Sequence, residues 1–207
     1  AGSSKFSKLI DDIPTNEGKL SVLETLVEYF PEEAHFWGHL GRFYSRLMRD
    51  PEAALEAIQR AIQLAPHDPV LHHMKGMCYR QKVYDTMWNS KRTTAEEPLG
   101  EQIESLTHSS LEAFAKSREL DPDSEYGYIS PIQLLINTLD WGYEQSGCES
   151  RTQFLSLPGS GWYRDRLDDA ESLLADVHTI HRGERPSGYT LDCQAKLNKV
   201  YDDYDRA

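Results

Sequence analysis

The most constraining feature of the sequence is a set of small and large apolar residues at fixed spacing between residues 34 and 66. Glycine stands twice inside a stretch that otherwise predicts a helix, at Gly38 and Gly41, although glycine in a helix interior costs about 1 kcal/mol relative to alanine. A second stretch of helical apolar spacing follows "DP" at 50–51 and ends at Pro66. Helical apolar spacing on both sides of the break predicts two consecutive helices, and the glycines of the first helix require an explanation.

The positions of these residues match a known repeat. They follow the spacing W-x2-L-G-x2-Y and then A-x3-I-x2-A-x4-P, through Trp37, Leu40, Gly41, Tyr44, Ala54, Ile58, Ala61 and Pro66. This pattern resembles the tetratricopeptide repeat (TPR), with one residue more than the usual 34. The resemblance implies an all-α fold, a right-handed stack of antiparallel helix pairs. In that family small residues let the paired helices approach, so we expect Gly41 to be a contact point, whereas Gly38 has no counterpart in the pattern.

The same pattern continues in both directions along the chain. Residues 18–31 predict the second helix of a preceding repeat, and in a third unit Pro131 and Ile132 replace the Leu-Gly pair. The residues that carry the repeat signature are Trp37, Leu40, Gly41, Tyr44, Ala54, Ala61, Pro66, Gly76, Tyr79, Phe114 and Pro122. We interpret residues 1–4 as an artificial extension left by cloning and 5–207 as a single helical-repeat domain. Its parts are a partial repeat (5–31), a repeat (32–66), an expanded repeat (67–122), a divergent expanded repeat (123–186) and a capping helix (187–207).

The second full repeat is longer than its neighbours. Pro122 lies 56 residues after Pro66, about 22 residues more than a standard unit requires. Helical apolar spacing persists in both arms, through Val83, Met87 and Trp88 in the first and Ile103, Leu106 and Ser110 in the second. We therefore expect an extended helical hairpin, each helix longer by about 16 Å, with its tip near residues 89–98. A disordered loop of equal length is the alternative.

The third unit is expanded in another way. Residues 147–161 are rich in Gly, Ser and Pro, yet this segment and the residue after it carry Phe154, Leu155, Leu157 and Trp162. Free linkers seldom hold so many large apolar side chains, so we expect this segment to lie against the protein surface. A further helix is predicted after it, and the final residues predict a helix that caps the stack.

Charge and cysteine content restrict the function classes. The chain has 34 acidic and 22 basic residues, a formal net charge of −12. Because phosphate backbones and anionic membranes attract clustered Lys and Arg, we expect neither nucleic acid nor a membrane as a partner. No apolar run approaches the length that crosses a bilayer. The three cysteines form no CxxC pair, which favours a reducing, cytoplasmic location.

Motifs of catalysis and of metal binding are weak or missing from the sequence. His35 and His39 are four residues apart and share a predicted helix face, but no third ligand completes a site. The segment "LPGSGW" lacks the GK[ST] ending of a phosphate-binding loop, and no serine stands in G-x-S-x-G. We therefore expect no metal, no cofactor and no catalytic residues, and predict that the chain is not an enzyme.

The resemblance implies a protein-binding scaffold whose concave groove is lined by the first helix of each repeat. Mixed Met, His and Arg side chains suit an amphipathic peptide or protein with acidic groups. We expect the partner to contact the groove and at least one of the two expansions. On the repeat alignment the groove residues are His35, His39, Arg42, Arg46, His73, Met74, Met77, Arg80, Tyr126, Ile129, Gln133 and Asn137.

A second interpretation concerns a longer parent protein. The segments "HFWGHLGRFY" and "LHHMKGMCYR", together with the expanded repeat, resemble the helical-repeat sectors of STAND-type signal-transducing NTPases, which include immune and antiviral proteins. That resemblance implies a ligand-sensing or autoinhibitory arm, without activity of its own, that contacts other domains of the parent or associates with itself. A nucleotide-binding domain encoded upstream in the full-length gene would distinguish the two interpretations.

Overall fold

The structure is a computed structural model that describes the backbone of residues 3–90, 99–181 and 185–202. The side chains of 3–5, 90, 99 and 201–202 are outside the description. Helices occupy most of these ranges, and no β-strand occurs in them, which confirms the all-α prediction. The helices are α1 (Ser3–Asp11), α2 (Asn16–Tyr29), α3 (Ala34–Phe43), α4 (Pro51–Leu64), α5 (Pro69–Ser90), α6 (Leu99–Leu120), α7 (Tyr126–Ser146), α8 (Arg151–Ser156), α9 (Gly161–Ile180) and α10 (Gly188–Asp202).

The chain divides into two compact units. Helices α1 to α6, as far as Trp88 in α5, belong to the first unit, and α7 to α10 belong to the second. In the first unit, α3 packs against α2 and α4, and the helices enclose two apolar clusters. One contains Leu23, Leu40 and Phe43, and the other contains Ile58 and Leu71.

The contact between α3 and α4 explains why glycine stands inside α3. A Cβ atom added at Gly41 would lie 2.5 Å from Cγ1 of Ile58 and 3.2 Å from the carbonyl oxygen of Ala54. Real Cβ atoms do not approach that closely, so Gly41 is a contact point between the paired helices, as the spacing predicts. Gly38 faces the next repeat, where an added Cβ would lie 3.0 Å from the end of the Leu71 side chain.

A hydrogen bond between a first-helix side chain and a proline carbonyl recurs in all three repeats. Trp37 donates from Nε1 to the carbonyl oxygen of Pro31 (2.9 Å), and Tyr128 donates from its hydroxyl to that of Pro122 (3.1 Å). His72 Nε2 lies 2.8 Å from the carbonyl oxygen of Pro66. Each side chain follows its proline by six residues. This shared contact aligns α3, α5 and α7 as the first helices of successive repeats.

The expanded repeat forms two long helices. Helices α5 and α6 have 22 residues each. Ser110 Oγ donates to the carbonyl oxygen of Gly76 (2.8 Å), and Val83 and Ile103 are fully buried, which confirms the extended arms. The predicted tip lies largely outside the described residues.

Trp88 differs from the expectation that it packs in the first arm, because 61% of its surface is exposed. Val83 and Trp88 are five residues apart, and five residues turn an α-helix by more than a third of a revolution beyond one full turn.

The second unit is organised around α7. Most of this helix is buried, including Pro131, and α8, α9 and α10 pack against it. The segment after α7 lies against the protein as predicted, since Phe154 and Leu155 of α8 are 5% and 4% exposed. Helix α10 buries Leu197 and packs on α7 and α9.

Candidate functional site

A cavity of about 610 Å³ opens in the first unit between the C-terminal end of α3 and the face of α5. We call it the arginine groove. Its wall on the α3 side continues through a π-helical turn at Tyr44–Met48, and Ile58 of α4 contributes to the lining. The lining residues are Arg42, Ser45, Arg46, Arg49, Ile58, Val70, His73, Met74, Met77, Cys78, Arg80 and Gln81.

The charge of this lining is entirely positive. Four of its side chains are guanidinium groups, and none of the described residues that line it is Asp or Glu. Partial burial, together with the neighbouring charge of Arg42, lowers the pKa of Arg46, and burial lowers the pKa of Arg80. Both remain charged at neutral pH because arginine does not deprotonate in proteins. Like charges held together in a partly desolvated cavity favour an anionic ligand.

The π-helical turn positions Arg49. The backbone N–H groups of Arg49 and Asp50 both donate to the carbonyl oxygen of Tyr44, and Arg49 has left-handed backbone angles, φ 54° and ψ 38°. A π turn holds one residue more than an α turn. It lies between the repeat-signature residues Tyr44 and Ala54, and so accommodates the extra residue of this repeat. A non-glycine residue in this conformation stores about 1–2 kcal/mol of strain.

Within the part of the chain that the structure describes, no acidic side chain forms an ion pair with Arg42, Arg46 or Arg49. Arginines elsewhere do find such partners. Arg60 pairs with Glu32 (3.0 Å), and Arg151 pairs with Asp140 (2.9 Å). Arg42, Arg46 and Arg49 therefore form a local concentration of positive charge on an acidic protein.

Cys78 contributes a thiol to the lining of the arginine groove. Cys78 is 1% exposed, and burial raises the pKa of its thiol to about 11, while a hydrogen bond with Ser45 acts in the opposite direction. The thiolate is the nucleophilic form of cysteine. Cys78 is thus an inert part of the groove wall at neutral pH.

The predicted groove residues of α3 and α5 come together in this unit. Arg42 and Arg46, with the α5 residues His73, Met74, Met77 and Arg80, line the arginine groove. His35 and His39 line an adjoining cavity of about 510 Å³ that also contains Arg42 and Met74. Three polar residues of the lining, Ser45, Arg49 and Gln81, are not among the groove residues predicted from the repeat spacing. The extra residue of the repeat is the signal that could have drawn attention to Arg49.

The two histidines of α3 pack against aromatic rings. The ring centroids of His35 and His39 are 4.4 Å apart, and Phe6 of α1 lies 4.7 Å from His39. Burial lowers the pKa of His39 to about 4, with smaller contributions from the positive charges of His35 and Arg42. Across the described residues, no three His, Cys, Asp or Glu side chains converge as metal ligands.

The predicted groove residues of α7 belong to the second unit. Ile129 is 4% exposed and part of the core, which departs from the expectation that it contacts a partner. Tyr126 is 59% exposed, Asn137 is exposed and Gln133 is half-buried. In the described ranges no helix has the length and apolarity needed to cross a membrane.

Comparison with curated proteins identifies relatives among antiviral effectors. The chain is 26% identical over 132 residues to the antiviral innate immune response effector IFIT1 of Homo sapiens, covering 62% of this chain and 26% of the relative. It is 28% identical over 125 residues to the human protein IFIT1 homolog B, covering 59% of this chain and 25% of the relative. The chain thus spans about a quarter of the length of these relatives. No protein-family model matches it.

Comparison with solved structures identifies the fold. A monomeric mutant of IFIT1 with m7Gppp-AAAA matches at a TM-score of 0.53 and 14% identity, over 92% of this chain and 50% of that one. A thermophilic TPR protein from Thermus thermophilus matches at 0.51 and 13% identity, over 96% of both chains. The human IFIT1 dimer with m7Gppp-AAAA matches at 0.51 and 14% identity, over 92% of this chain and 50% of that one.

These structures correct one expectation. The net charge led to the expectation that nucleic acid is not a partner. That expectation is wrong as a general rule for this fold, because IFIT1 binds a capped oligonucleotide. The net charge is a sum over the whole surface. A bound ligand interacts mainly with charges within about 8 Å, because salt at physiological ionic strength screens the more distant ones. The arginine groove is such a local exception on this chain. The chain has the TPR-type fold of stacked antiparallel helix pairs, and its relatives in sequence and in structure include IFIT1.

Proposed function

We propose that this chain is a binding module whose arginine groove holds the phosphates of single-stranded RNA. The observation that carries the proposal is the set of four arginines around one cavity, without a carboxylate among the described lining residues. One guanidinium group can donate two parallel, charge-assisted hydrogen bonds to two oxygens of the same phosphate. The ligand of the IFIT1 structures, m7Gppp-AAAA, supports RNA with a phosphorylated or capped 5′ end as the first ligand to test.

The size of the groove is consistent with this ligand class. Pockets of about 300–1,000 Å³ hold small molecules and cofactors, and the arginine groove has about 610 Å³. The arginine groove adjoins the cavity beside His39, because Arg42 and Met74 line both cavities. The second cavity is lined by Asp68 as well as by Arg42, so we assign the phosphates to the arginine groove alone.

The groove is proposed to bind without catalysing a reaction. Its one thiol, Cys78, is buried and carries a raised pKa of about 11. The remaining polar lining consists of hydrogen-bond donors and cations that suit recognition of an anion, such as Arg42, Gln81 and Ser45.

The decisive experiment measures RNA affinity as a function of salt. A fluorescently labelled 5′-triphosphorylated RNA of eight nucleotides is titrated with the wild-type protein, with Arg46→Ala and with Arg60→Ala, at several salt concentrations. Removal of one phosphate contact in Arg46→Ala should weaken binding at every salt concentration and reduce the slope of log affinity against log salt by about 0.7. The control variant lacks an arginine that is paired with Glu32, and it should match the wild type. Equal behaviour of the two variants would contradict the proposal, and so would the absence of binding at low salt.

An acidic peptide or protein is the second candidate ligand. Met74 and Met77 stand between the arginines in the lining, and methionine adapts to varied apolar surfaces. This ligand corresponds to the scaffold function that TPR resemblance implies. Competition distinguishes the two candidates, since an acidic peptide that displaces labelled RNA at lower concentration than unlabelled RNA does would favour the peptide.

The role of a longer parent is a separate proposal, because the chain spans about a quarter of the curated relatives. A sensor arm of a STAND-type NTPase stays a prediction, and the comparisons do not bear on it. In that arrangement the ligand of the arginine groove would control contacts with other domains. A parent gene without a nucleotide-binding domain would remove this interpretation and leave the groove proposal unchanged.

A further inference from the structure

An aromatic ridge continues the arginine groove along α5. Arg80 lines the groove, and Tyr84 and Trp88 follow it at intervals of four residues on the same helix. Residues four apart lie on one face of an α-helix. The guanidinium carbon of Arg80 lies 5.8 Å from the centre of the Tyr84 ring, which places these two side chains together. We call Tyr84 and Trp88 the aromatic ridge.

Trp88 is one of several large apolar side chains that the first unit leaves exposed, and Tyr84 is half-buried. Trp88 is 61% exposed, whereas Val83, on another side of the same helix, is fully buried. The Cα atoms of Arg80 and Trp88 are separated by about 12 Å along the helix axis. Folding of the hairpin therefore leaves a large indole on the surface, a short distance beyond the last arginine of the groove.

The charges next to the ridge change character along α5. Gln81 donates from Nε2 to Asp85 Oδ1 (2.9 Å), so a carboxylate flanks the ridge where the groove has only arginines. Lys82 is occupied by an ion pair with Glu52 of α4 (2.6 Å). A polyanion that leaves the groove along α5 thus meets fewer cations and two aromatic rings. This surface favours the bases of a nucleic acid over its phosphates.

We propose that Tyr84 and Trp88 form a base-stacking platform for single-stranded RNA whose phosphates occupy the arginine groove, an inference that rests on the function proposed above. Stacking on aromatic rings is tolerant of base identity, because every base has a π face. The ridge would extend the footprint beyond the 5′ phosphates by about two nucleotides without reading their sequence.

The test separates bases from phosphates. Affinity is measured for an eight-nucleotide 5′-triphosphorylated RNA and for the same chain with abasic sugars at all internal positions, which keeps every phosphate. The wild type should bind the intact RNA about tenfold more tightly than the abasic chain. Trp88→Ala should lose most of this preference, and the part that remains is the contribution of Tyr84. The matched control is Tyr29→Ala, which removes an aromatic side chain that is 74% exposed on α2, and it should keep the preference.

Tryptophan fluorescence provides a readout that does not depend on affinity. The chain has four tryptophans, and stacking of a base on Trp88 should quench part of their emission when intact RNA saturates the protein. Trp88→Phe keeps an aromatic ring for stacking, so it should remain within about threefold of the wild-type affinity while that part of the quenching disappears.

The outcomes distinguish the ridge from the groove. Equal binding of intact and abasic RNA by the wild type, with weaker binding in Arg46→Ala, would overturn the platform and leave the groove proposal standing. Quenching of Trp88 by an acidic peptide but not by RNA would also overturn it. Failure of both RNAs to bind the wild type at low salt would overturn both proposals.

Discussion

Helices α5 and α7 occupy the same place in their repeats, yet one predicted groove residue of α7 is buried in the core, whereas the predicted groove residues of α5 line a cavity. On α5, His73, Met77 and Arg80 line an open cavity. On α7, Ile129 is 4% exposed although Tyr126 and Asn137 are exposed, and α8, α9 and α10 pack against the helix. The comparison shows that repeat register identifies the first helix of a unit, whereas packing decides which of its predicted groove residues remain accessible.

The largest expected effect tests the open face. Reversing two groove charges, as Arg42→Glu with Arg80→Glu, removes two guanidinium groups and adds two carboxylates beside the remaining arginines. Charge-assisted hydrogen bonds contribute about 1.5–3 kcal/mol each, so RNA affinity should fall by at least about 100-fold. Fluorescence anisotropy measures the affinity, and circular dichroism checks that the helical signal is retained.

A control for that variant comes from arginines outside the groove. Arg60→Glu with Arg166→Glu makes the same change in net charge, at residues that pair with Glu32 and Asp169. It should reduce affinity by much less than the groove variant. Equal losses in the two double variants would mean that net charge governs binding, and the distinction between the two faces would lose its functional meaning.

The next effect concerns a feature that the two units share. A Cβ at Gly41 would collide with Ile58, and a Cβ at Gly142 of α7 would collide with the ring of Tyr163 of α9. Overpacking typically costs about 1–3 kcal/mol, and the helix propensity of alanine returns about 1 kcal/mol of it, so Gly41→Ala and Gly142→Ala should each lower the free energy of unfolding by up to about 2 kcal/mol. Urea denaturation measures it.

Gly38→Ala is the matched control for these two variants. Its added Cβ would meet only the flexible end of Leu71 at 3.0 Å, and alanine gains about 1 kcal/mol of helix propensity over glycine. We expect little change or a small stabilisation. If all three substitutions had the same effect, close helix approach would not be the reason for the glycines.

The fold was more predictable from the sequence than the site was. Gly41 and Pro66 stand at fixed intervals because two helices must cross closely and then end, so spacing alone reveals them. The exposure of Trp88 and the burial of Ile129 depend on which distant segments of the chain pack nearby. Local spacing in the sequence does not encode this packing. The repeat alignment placed Arg42 and Arg80 in one groove, but it did not place Arg49 there, because the position of Arg49 depends on the π-helical turn.

A smaller effect separates stability from binding at the π-helical turn. Arg49 has left-handed backbone angles, which glycine adopts without strain. Arg49→Gly should therefore raise the free energy of unfolding by about 1 kcal/mol and weaken RNA binding by removing a guanidinium group. Urea denaturation and anisotropy measure the two quantities on the same preparation. A variant that is more stable and also binds RNA as tightly as the wild type would show that Arg49 has no part in the groove.

The smallest expected effect is a pH dependence in the first unit. His39 packs against Phe6 and His35, and burial lowers its pKa from 6.5 to about 4, with Arg42 acting in the same direction and Asp11 opposing it. Between these two values the unfolded chain binds a proton at His39 and the folded chain does not, so His39 lowers stability progressively as the pH falls from 6.5 towards 4. Above pH 6.5 both states are neutral at this residue and the contribution vanishes.

Replacing His39 with Gln removes the titrating group. The difference in melting temperature between pH 7.5 and pH 5 should therefore be smaller in His39→Gln than in the wild type, by a few degrees at most. His178→Gln in α9, which removes a histidine that contacts Gln194 on the surface, should leave this difference unchanged, whereas identical pH profiles for wild type and His39→Gln would show that His39 is solvated in the folded protein.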